Sequence, residues 1–205
     1  MEQLQRTESW LKERYGKFTA SEIVKLLGVK GLGETGKTYA IEKAIQELYG
    51  DFEENYISYD MQNGIDTEPL AFAKFKELKG LEFLEVENCG FFNFEQHAGA
   101  SPDGLVSDNA ILEIKCPKST TFFKLVATNE IDTKYYAQMQ MQMLCTNREK
   151  AYFFNYLVHD GTEYYHEIIV ERDEVMIEKI KERLKESIEI KTEYINKIKN
   201  NKQWK

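Results

Sequence analysis

Proline is scarce in this chain, and no stretch is rich in glycine, serine and proline. Only 3 prolines occur among the 205 residues. Linkers between domains are usually exposed and rich in these residue types. No internal repeat or low-complexity tract is present either, and 42% of the residues are hydrophobic, which is enough for a good core. We therefore expect one globular domain over residues 1–205.

Cysteine is equally scarce. Cys89, Cys116 and Cys145 lie far apart and form no Cys-x-x-Cys motif. Three cysteines cannot supply the four ligands of an iron–sulfur cluster, and their spacing gives no zinc-ligand pattern. It indicates reduced, mostly buried thiols in a cytosol-like compartment.

Long uncharged runs are absent. No stretch approaches the roughly 20 apolar residues that a membrane-spanning helix needs, and residues 1–16 carry charges throughout, unlike a secretory signal peptide. We expect a cytoplasmic protein without a membrane partner.

An excess of basic residues is also absent, since the formal net charge is −8. Nucleic-acid-binding surfaces are normally basic, so the total charge taken alone disfavours a nucleic-acid partner. Charge can be segregated on a surface, however, and acids that bind a metal do not oppose DNA once the metal is bound.

The apolar pattern predicts an α/β (α+β) domain with a mixed sheet and flanking helices. Helices are predicted over residues 7–15, 19–28 (opened by a Thr19–Glu22 capping box), 37–49, from 61–67 to 79, 119–128, 134–145 and 173–199. Strands are predicted over residues 81–87, 90–94, on both sides of residues 108–109, and over 151–158 and 163–170. Residues 51–60 are expected to be irregular.

Residues 101–117 carry the most informative pattern. Asp103 follows a proline, and Glu113 and Lys115 follow after a spacer whose Asp108-Asn109 pair signals a turn. In a hairpin, Asp103 enters on one strand and Glu113 leaves on the other. Alternation then places Glu113 and Lys115 on one face and Ile114 on the opposite face.

This set of charges suits a divalent cation that activates water. Mg²⁺ prefers oxygen ligands and is usually held by one or two carboxylates plus substrate phosphate. Asp103, Glu113 and the Ile114 carbonyl would supply ligands, and Lys115 would polarise the attacking water or stabilise charge on phosphorus. The alternative is an ordinary hairpin with a surface Glu–Lys pair, but the apolar flanks place these charges at the margin of a core, where they need partners.

Three weaker candidates have structural explanations of their own. Glu68 suits the first turn of a helix, where an acid complements the dipole and Pro69 is tolerated. Gln138 and Gln142 share one helical face, whereas the interleaved methionines indicate core. Arg14, Thr19 and Ser21 form a possible anion site at a helix start, although the capping box already explains Thr19.

Residues 31–38 match the phosphate-binding pattern G-x-x-x-x-G-K-[ST], with Lys37 as its lysine. That pattern needs a preceding buried strand, and residues 22–29 indicate a helix instead. We interpret the segment as a glycine-rich loop between helices.

Together, these motifs resemble the phage lambda exonuclease (YqaJ-type) recombinase family, in the PD-(D/E)xK nuclease superfamily. The resemblance runs in order from about residue 6 to the C-terminus. It rests on Trp10-x₃-Arg14-x-Gly-x₂-Thr19-Ala-Ser21, Gly64-x₃-Glu68, Ser101-Pro-Asp103, Glu113-Ile-Lys115, Tyr135-x-Ala-Gln138, Ala151-Tyr-Phe-x-Asn-Tyr and Val170-Glu-Arg-Asp173.

The resemblance implies a restriction-endonuclease-like core and 5′→3′ digestion of duplex DNA, which leaves a 3′ single strand. It implies Mg²⁺ (or Mn²⁺), two ions per site, with Asp103, Glu113 and Ile114 as ligands. Glu68, Lys115 and Gln138 would complete the catalytic set. Arg14, Thr19, Ser21, Ser101 and Tyr135 would contact DNA and its 5′-phosphate.

It further implies a homotrimeric ring threaded by DNA, a single-strand annealing partner, and a bacterial host cytoplasm if the chain is phage- or prophage-encoded. Two alternatives stay open: another PD-(D/E)xK endonuclease or repair nuclease, and a nucleotide hydrolase that uses residues 31–38.

Overall fold

The computed structural model describes residues 7–50 and 59–201 and contains two sheets. One is three-stranded with the order β1-β4-β3, and the other is five-stranded with the order β2-β5-β6-β7-β8. The strands are β1 Phe18–Thr19, β2 Val86–Glu87, β3 Phe92–Phe94, β4 Ala98–Ala100, β5 Gly104–Val106, β6 Ala110–Lys115, β7 Lys150–His159 and β8 Thr162–Glu171. β6 pairs parallel with β7 and antiparallel with β5, so the larger sheet is mixed.

Helices flank these sheets. They are α1 Glu8–Arg14, a 3-10 helix Ala20–Leu26, α2 Gly33–Tyr49, α3 Tyr59–Leu81, α4 Ser119–Thr128, α5 Thr133–Thr146 and α6 Glu174–Asn200. The predicted fold class, a mixed sheet flanked by helices with a long C-terminal helix, is confirmed. Within the described ranges, no helix is both long and apolar enough to cross a membrane, and no cysteine forms a disulfide.

β6 lies in the middle of the larger sheet and is buried on both faces. Leu112 and Ile114 pack with Phe75 of α3 on one face. Ile111 packs with Met139 of α5 on the other. Because side chains alternate along a strand, Glu113 shares the face of Ile111 and points towards α5.

The β5–β6 hairpin has the predicted turn, and Arg148 holds it in place. One guanidinium nitrogen of Arg148, Nη1, donates to the carbonyl oxygens of Ser107 (2.6 Å) and Ala110 (2.8 Å). At the open end of the hairpin, the Asp103 N–H donates to the Leu112 carbonyl at 2.9 Å. The register that brings Asp103 opposite the end of β6 is therefore fixed from both ends.

α6 packs along α2 and carries one buried cation in its apolar stripe. Lys191 is only 1% exposed. Its ammonium donates to the Gly16 carbonyl at 2.5 Å and lies 2.6 Å from a carboxylate oxygen of Glu47. The buried charge thus ties α6 to α2 and to the turn that follows α1.

Two predicted helix starts are wrong. The capping box does not form, since Thr19 precedes a tight 3-10 helix without a side-chain cap and Glu22 pairs with Lys25 instead. α2 begins at Gly33 rather than at Lys37. Gly36 lies inside this helix, where a Cβ would clash with Leu32.

α3 also begins earlier than predicted, at Tyr59, so Pro69 lies inside the helix and Glu68 is not in its first turn. Residues 51–58 of the segment predicted to be irregular lie outside the described residues, and the prediction is wrong for residues 59–60, which belong to α3. The predicted strand 81–87 is reduced to Val86–Glu87, because the chain turns after α3, with Phe83 at φ 59°. The short strands β1 and β4 were not predicted, since neither has a run of bulky residues.

Candidate active site

Glu113 lies at the centre of the candidate site. It is 1% exposed and accepts hydrogen bonds from three side chains. The Lys115 ammonium and Gln138 Nε2 (2.7 Å) both donate to Oε1, and Gln142 Nε2 donates to Oε2 at 2.5 Å. The carboxylate is therefore held in one orientation.

Asp103 lies beside Glu113 at the entrance of β5. Its Oδ2 accepts the Ile114 N–H at 2.6 Å. Burial, followed by the charge of Glu113, raises the pKa of Asp103 well above its usual value, whereas the Lys115 ammonium lowers it. Two close carboxylates in a sheltered position favour a cation between or beside them.

In this structure, the Lys115 ammonium is the cation beside the carboxylates of Asp103 and Glu113. Burial alone would lower its pKa, but the carboxylates of Glu113 and Asp103 raise the pKa of Lys115 above its usual value. The ammonium also lies 5.1 Å from the centre of the Tyr135 ring. Lys115 therefore stays protonated at neutral pH.

The donor set fits Mg²⁺. An ionised carboxylate has about four acceptor positions, and three of those of Glu113 are used. One stays available on Oε2 for a metal ion. No group of three or more histidine, cysteine or acidic side chains converges in residues 7–50 and 59–201. Two carboxylates with a main-chain carbonyl, such as that of Ile114, and a substrate phosphate are an ordinary Mg²⁺ environment.

Glu68 is close enough to the candidate site for its charge to act on residues there. It lies on α3, and its negative charge is among the causes that raise the pKa values of Asp103 and Cys116. α3 thus brings a third carboxylate towards the hairpin.

A continuous line of contacts joins this centre to Arg14. Gln142 Nε2 lies 3.5 Å from the Ser101 carbonyl oxygen, and Ser101 Oγ accepts from the Trp10 indole N–H at 2.9 Å. The Arg14 guanidinium carbon lies 4.1 Å from the centre of the Trp10 ring. A cation at one end of this line and two carboxylates at the other suit a strand with successive phosphates.

Thr19 and Ser21 lie close to Arg14. Their hydroxyl oxygens are 3.3 Å apart, and the Thr19 N–H donates to Tyr39 Oη at 3.3 Å. Electrostatic interaction of Arg14 with Tyr39 places the guanidinium in the same neighbourhood. Ser21 is exposed and Thr19 is buried, so Ser21 is the hydroxyl better placed for a ligand.

The structure thus brings together most of the residues that the sequence singled out, and it adds two. Gln142 and Trp10 join the site, and sequence reasoning did not assign them. The spacing of Gln138 and Gln142 on one helical face was the available signal for Gln142. By contrast, Lys37 pairs with Glu34 at 2.8 Å on the exposed face of α2, and a 3-10 helix precedes this segment rather than a strand, so no phosphate-binding loop is formed.

The sequence profile of the YqaJ-like viral recombinase domain matches residues 9–149. The chain belongs to this family. A search of curated proteins finds no match.

The solved structures similar to this YqaJ-like chain include those of two exonucleases. The alkaline exonuclease LHK-Exo from Laribacter hongkongensis is 31% identical, with a TM-score of 0.83 over 94% of this chain and 96% of that one, and it has also been solved in complex with dAMP. A phage-related exonuclease from Haemophilus somnus 129PT is 20% identical, with a TM-score of 0.67 over 89% of this chain and 96% of that one. The second likeness shows the fold alone.

Proposed function

We propose that this chain is a Mg²⁺-dependent exonuclease that digests double-stranded DNA from the 5′ end and leaves a 3′ single strand for recombination by single-strand annealing. The observation that carries the proposal is the meeting of Asp103, Glu113 and Lys115 around one point at the end of the hairpin. Membership of a viral recombinase family and similarity to proteins described as exonucleases support it.

In the proposed reaction, the protein mainly positions groups and stabilises charge. A bound Mg²⁺ would lower the pKa of a water molecule and neutralise charge on the phosphate. Asp103 and Glu113 would hold the ion, with Mn²⁺ as a substitute and a second ion on the side of Glu68. Lys115 would orient the water and stabilise charge as the oxygen adds to phosphorus.

The bond that breaks would be the one between phosphorus and the 3′ oxygen. The released mononucleotide then leaves with a 3′-hydroxyl, and the remaining strand keeps a new 5′-phosphate. Arg14, with Ser21 and Ser101, would bind that 5′-phosphate and so set the direction of digestion. Gln138 and Gln142 act through Glu113 and are positioning residues.

The substrate test uses two duplexes. A linear duplex with one 5′-phosphate and one 5′-hydroxyl end should be shortened mainly from the phosphorylated end, while a closed circular duplex should stay intact. Cutting of the circle would instead favour an endonuclease. Digestion from 3′ ends would contradict the proposed direction.

We also propose that the chain assembles into a homotrimeric ring around the duplex, as such enzymes typically do. Its partner would be an annealing protein in the bacterial cytoplasm. A ring would reconcile the net charge of −8 with DNA binding by keeping acids outside. Light scattering that gives the mass of a monomer at working concentration would contradict the ring.

A further inference from the structure

A cavity of about 520 Å³ opens beside Lys115, between the end of β6, α4 and α5. Its volume is within the range of small-molecule sites. Lys115 lines it, but Ser101 and Arg14 do not. The cavity therefore adjoins the candidate metal site through Lys115 and is separate from the neighbourhood of Arg14.

The floor of the cavity contains an amide without a partner. Asn155 of β7 lies opposite Lys115 in the parallel register, so both side chains point to the same face of the sheet. Asn155 is 2% exposed, and its Nδ2 has no hydrogen-bond partner among the residues described. Buried amides are nearly always bonded, so this nitrogen is a donor available to an acceptor atom of a bound molecule.

One part of the cavity wall is apolar, although charged and polar side chains line the rest. Leu125 of α4, Ile131 and Phe153 contribute aliphatic and aromatic surface. The Tyr135 ring lies 5.7 Å from that of Phe153 with an angle of 37° between the rings. A flat, mostly apolar group with a polar edge would match both these walls and the amide.

A phosphate deep in the cavity is not supported. Two backbone N–H groups in the first turn of α5 already donate to Asp132. The Lys134 N–H donates to Oδ1 at 2.9 Å, and the Tyr135 N–H donates to the carbonyl oxygen at 2.9 Å. Glu130 and Asp132 also line the cavity and offset the charges of Lys124 and Lys134, which line it too. The cation best placed for a phosphate is Lys115, at the end next to the metal site.

We propose that this cavity binds the nucleobase of the second nucleotide from the 5′ end, the one just beyond the cleaved phosphate. The inference rests on the proposed function and specifies its substrate. The base enters between Tyr135 and Leu125, its polar edge meets Asn155, and its phosphate stays near Lys115. Binding in this way separates the base from its base-pairing partner and from the neighbouring stacked bases. Sites for single-stranded nucleic acid bind bases similarly, with aromatic side chains next to basic residues.

The direct test measures ligand binding without catalysis. Calorimetry in EDTA compares dAMP with deoxyribose 5-phosphate, which has no base. The unmodified chain should bind dAMP about tenfold more tightly, as expected for one well-bound base. Asn155→Ala and Thr121→Trp should remove this difference, because the first deletes the amide and the second fills the cavity from an exposed position of α4.

Thr120→Trp is the matched control. Thr120 is the exposed neighbour of Thr121 on α4 and does not line the cavity, so this variant should keep the full preference for dAMP. Melting temperatures show whether each variant is folded. Equal binding of the two ligands by the unmodified chain, or an unchanged preference in both cavity variants, overturns the proposal.

A second measurement separates this inference from the proposed function. A linear duplex with an abasic second nucleotide should be digested about tenfold more slowly than normal duplex by the unmodified chain and by Thr120→Trp. Thr121→Trp should digest both duplexes at similar rates. If the unmodified chain digests both equally, the base site is wrong although the exonuclease stands; if it digests neither, the proposed function is wrong.

Discussion

Gln142 places its side-chain nitrogen 2.5 Å from Oε2 of Glu113, in the buried interior between α5 and β6. With Gln138 and Lys115 on the other oxygen, three donors surround one carboxylate. Such partners fix the direction in which a metal-binding carboxylate points and commonly change metal affinity or activity when removed.

Replacing Gln142 by leucine leaves one oxygen of a buried carboxylate without its donor. We expect the free energy of unfolding to fall by about 2 kcal/mol and nuclease activity to fall about 10- to 100-fold. Denaturant unfolding and DNA digestion measure the two effects. Gln96→Leu, at an exposed position, should change neither. An active, stable Gln142→Leu variant would show that the contact does not orient Glu113.

Arg14 stacks on Trp10, which is bonded to Ser101. A lysine at position 14 keeps the charge but loses the planar guanidinium that stacks and binds phosphate through two nitrogens. We expect Arg14→Lys to reduce the preference for a 5′-phosphate over a 5′-hydroxyl end about tenfold. Competition between the two end types measures it. Lys12→Ala, exposed on the same helix, should keep the preference.

Arg148 holds the turn of the β5–β6 hairpin through main-chain carbonyls. Lysine cannot reach them with the same geometry, so Arg148→Lys should lower the free energy of unfolding by about 1–3 kcal/mol. Hydrogen exchange should become faster at Ala110, next to the turn. Lys150→Met removes only an exposed pair with Glu171 and should leave both measurements unchanged.

His97 links stability to pH. Burial, and then the Lys191 ammonium, lowers the pKa of His97, and its Nδ1 lies 3.3 Å from that ammonium. A histidine with a lower pKa in the folded state binds fewer protons there than in the unfolded state. Stability should therefore fall as pH falls through the unfolded-state pKa of about 6.5.

The measurement is thermal unfolding between about pH 7.5 and pH 5.5, the region around the ordinary histidine pKa. His97→Gln should flatten this part of the curve. His159→Gln, at an exposed position, should leave it unchanged. Identical slopes for His97→Gln and the unmodified chain would show that the His97–Lys191 contact does not control stability.

The hairpin site was predictable because strand alternation is a local rule. Once residues 101–117 were interpreted as two strands, Glu113 and Lys115 had to share a face. Gln142 could not be assigned in the same way, since its contact with Glu113 depends on how α5 packs against β6. The capping box at Thr19 failed for a related reason: the local pattern was correct, but the tight 3-10 helix positions Glu22 for Lys25 instead.

The most direct test of the account is the release of acid-soluble nucleotides from linear duplex DNA by three proteins: the unmodified chain, Asp103→Asn and Asp108→Asn. Asp108 lies in the exposed turn of the same hairpin and is the matched control. In Mg²⁺ the unmodified chain and Asp108→Asn should release nucleotides at the same rate. Asp103→Asn should be slower by at least about a hundredfold with an unchanged melting temperature, and EDTA should stop all three. Equal rates for Asp103→Asn and the unmodified chain would contradict the assignment of the metal site.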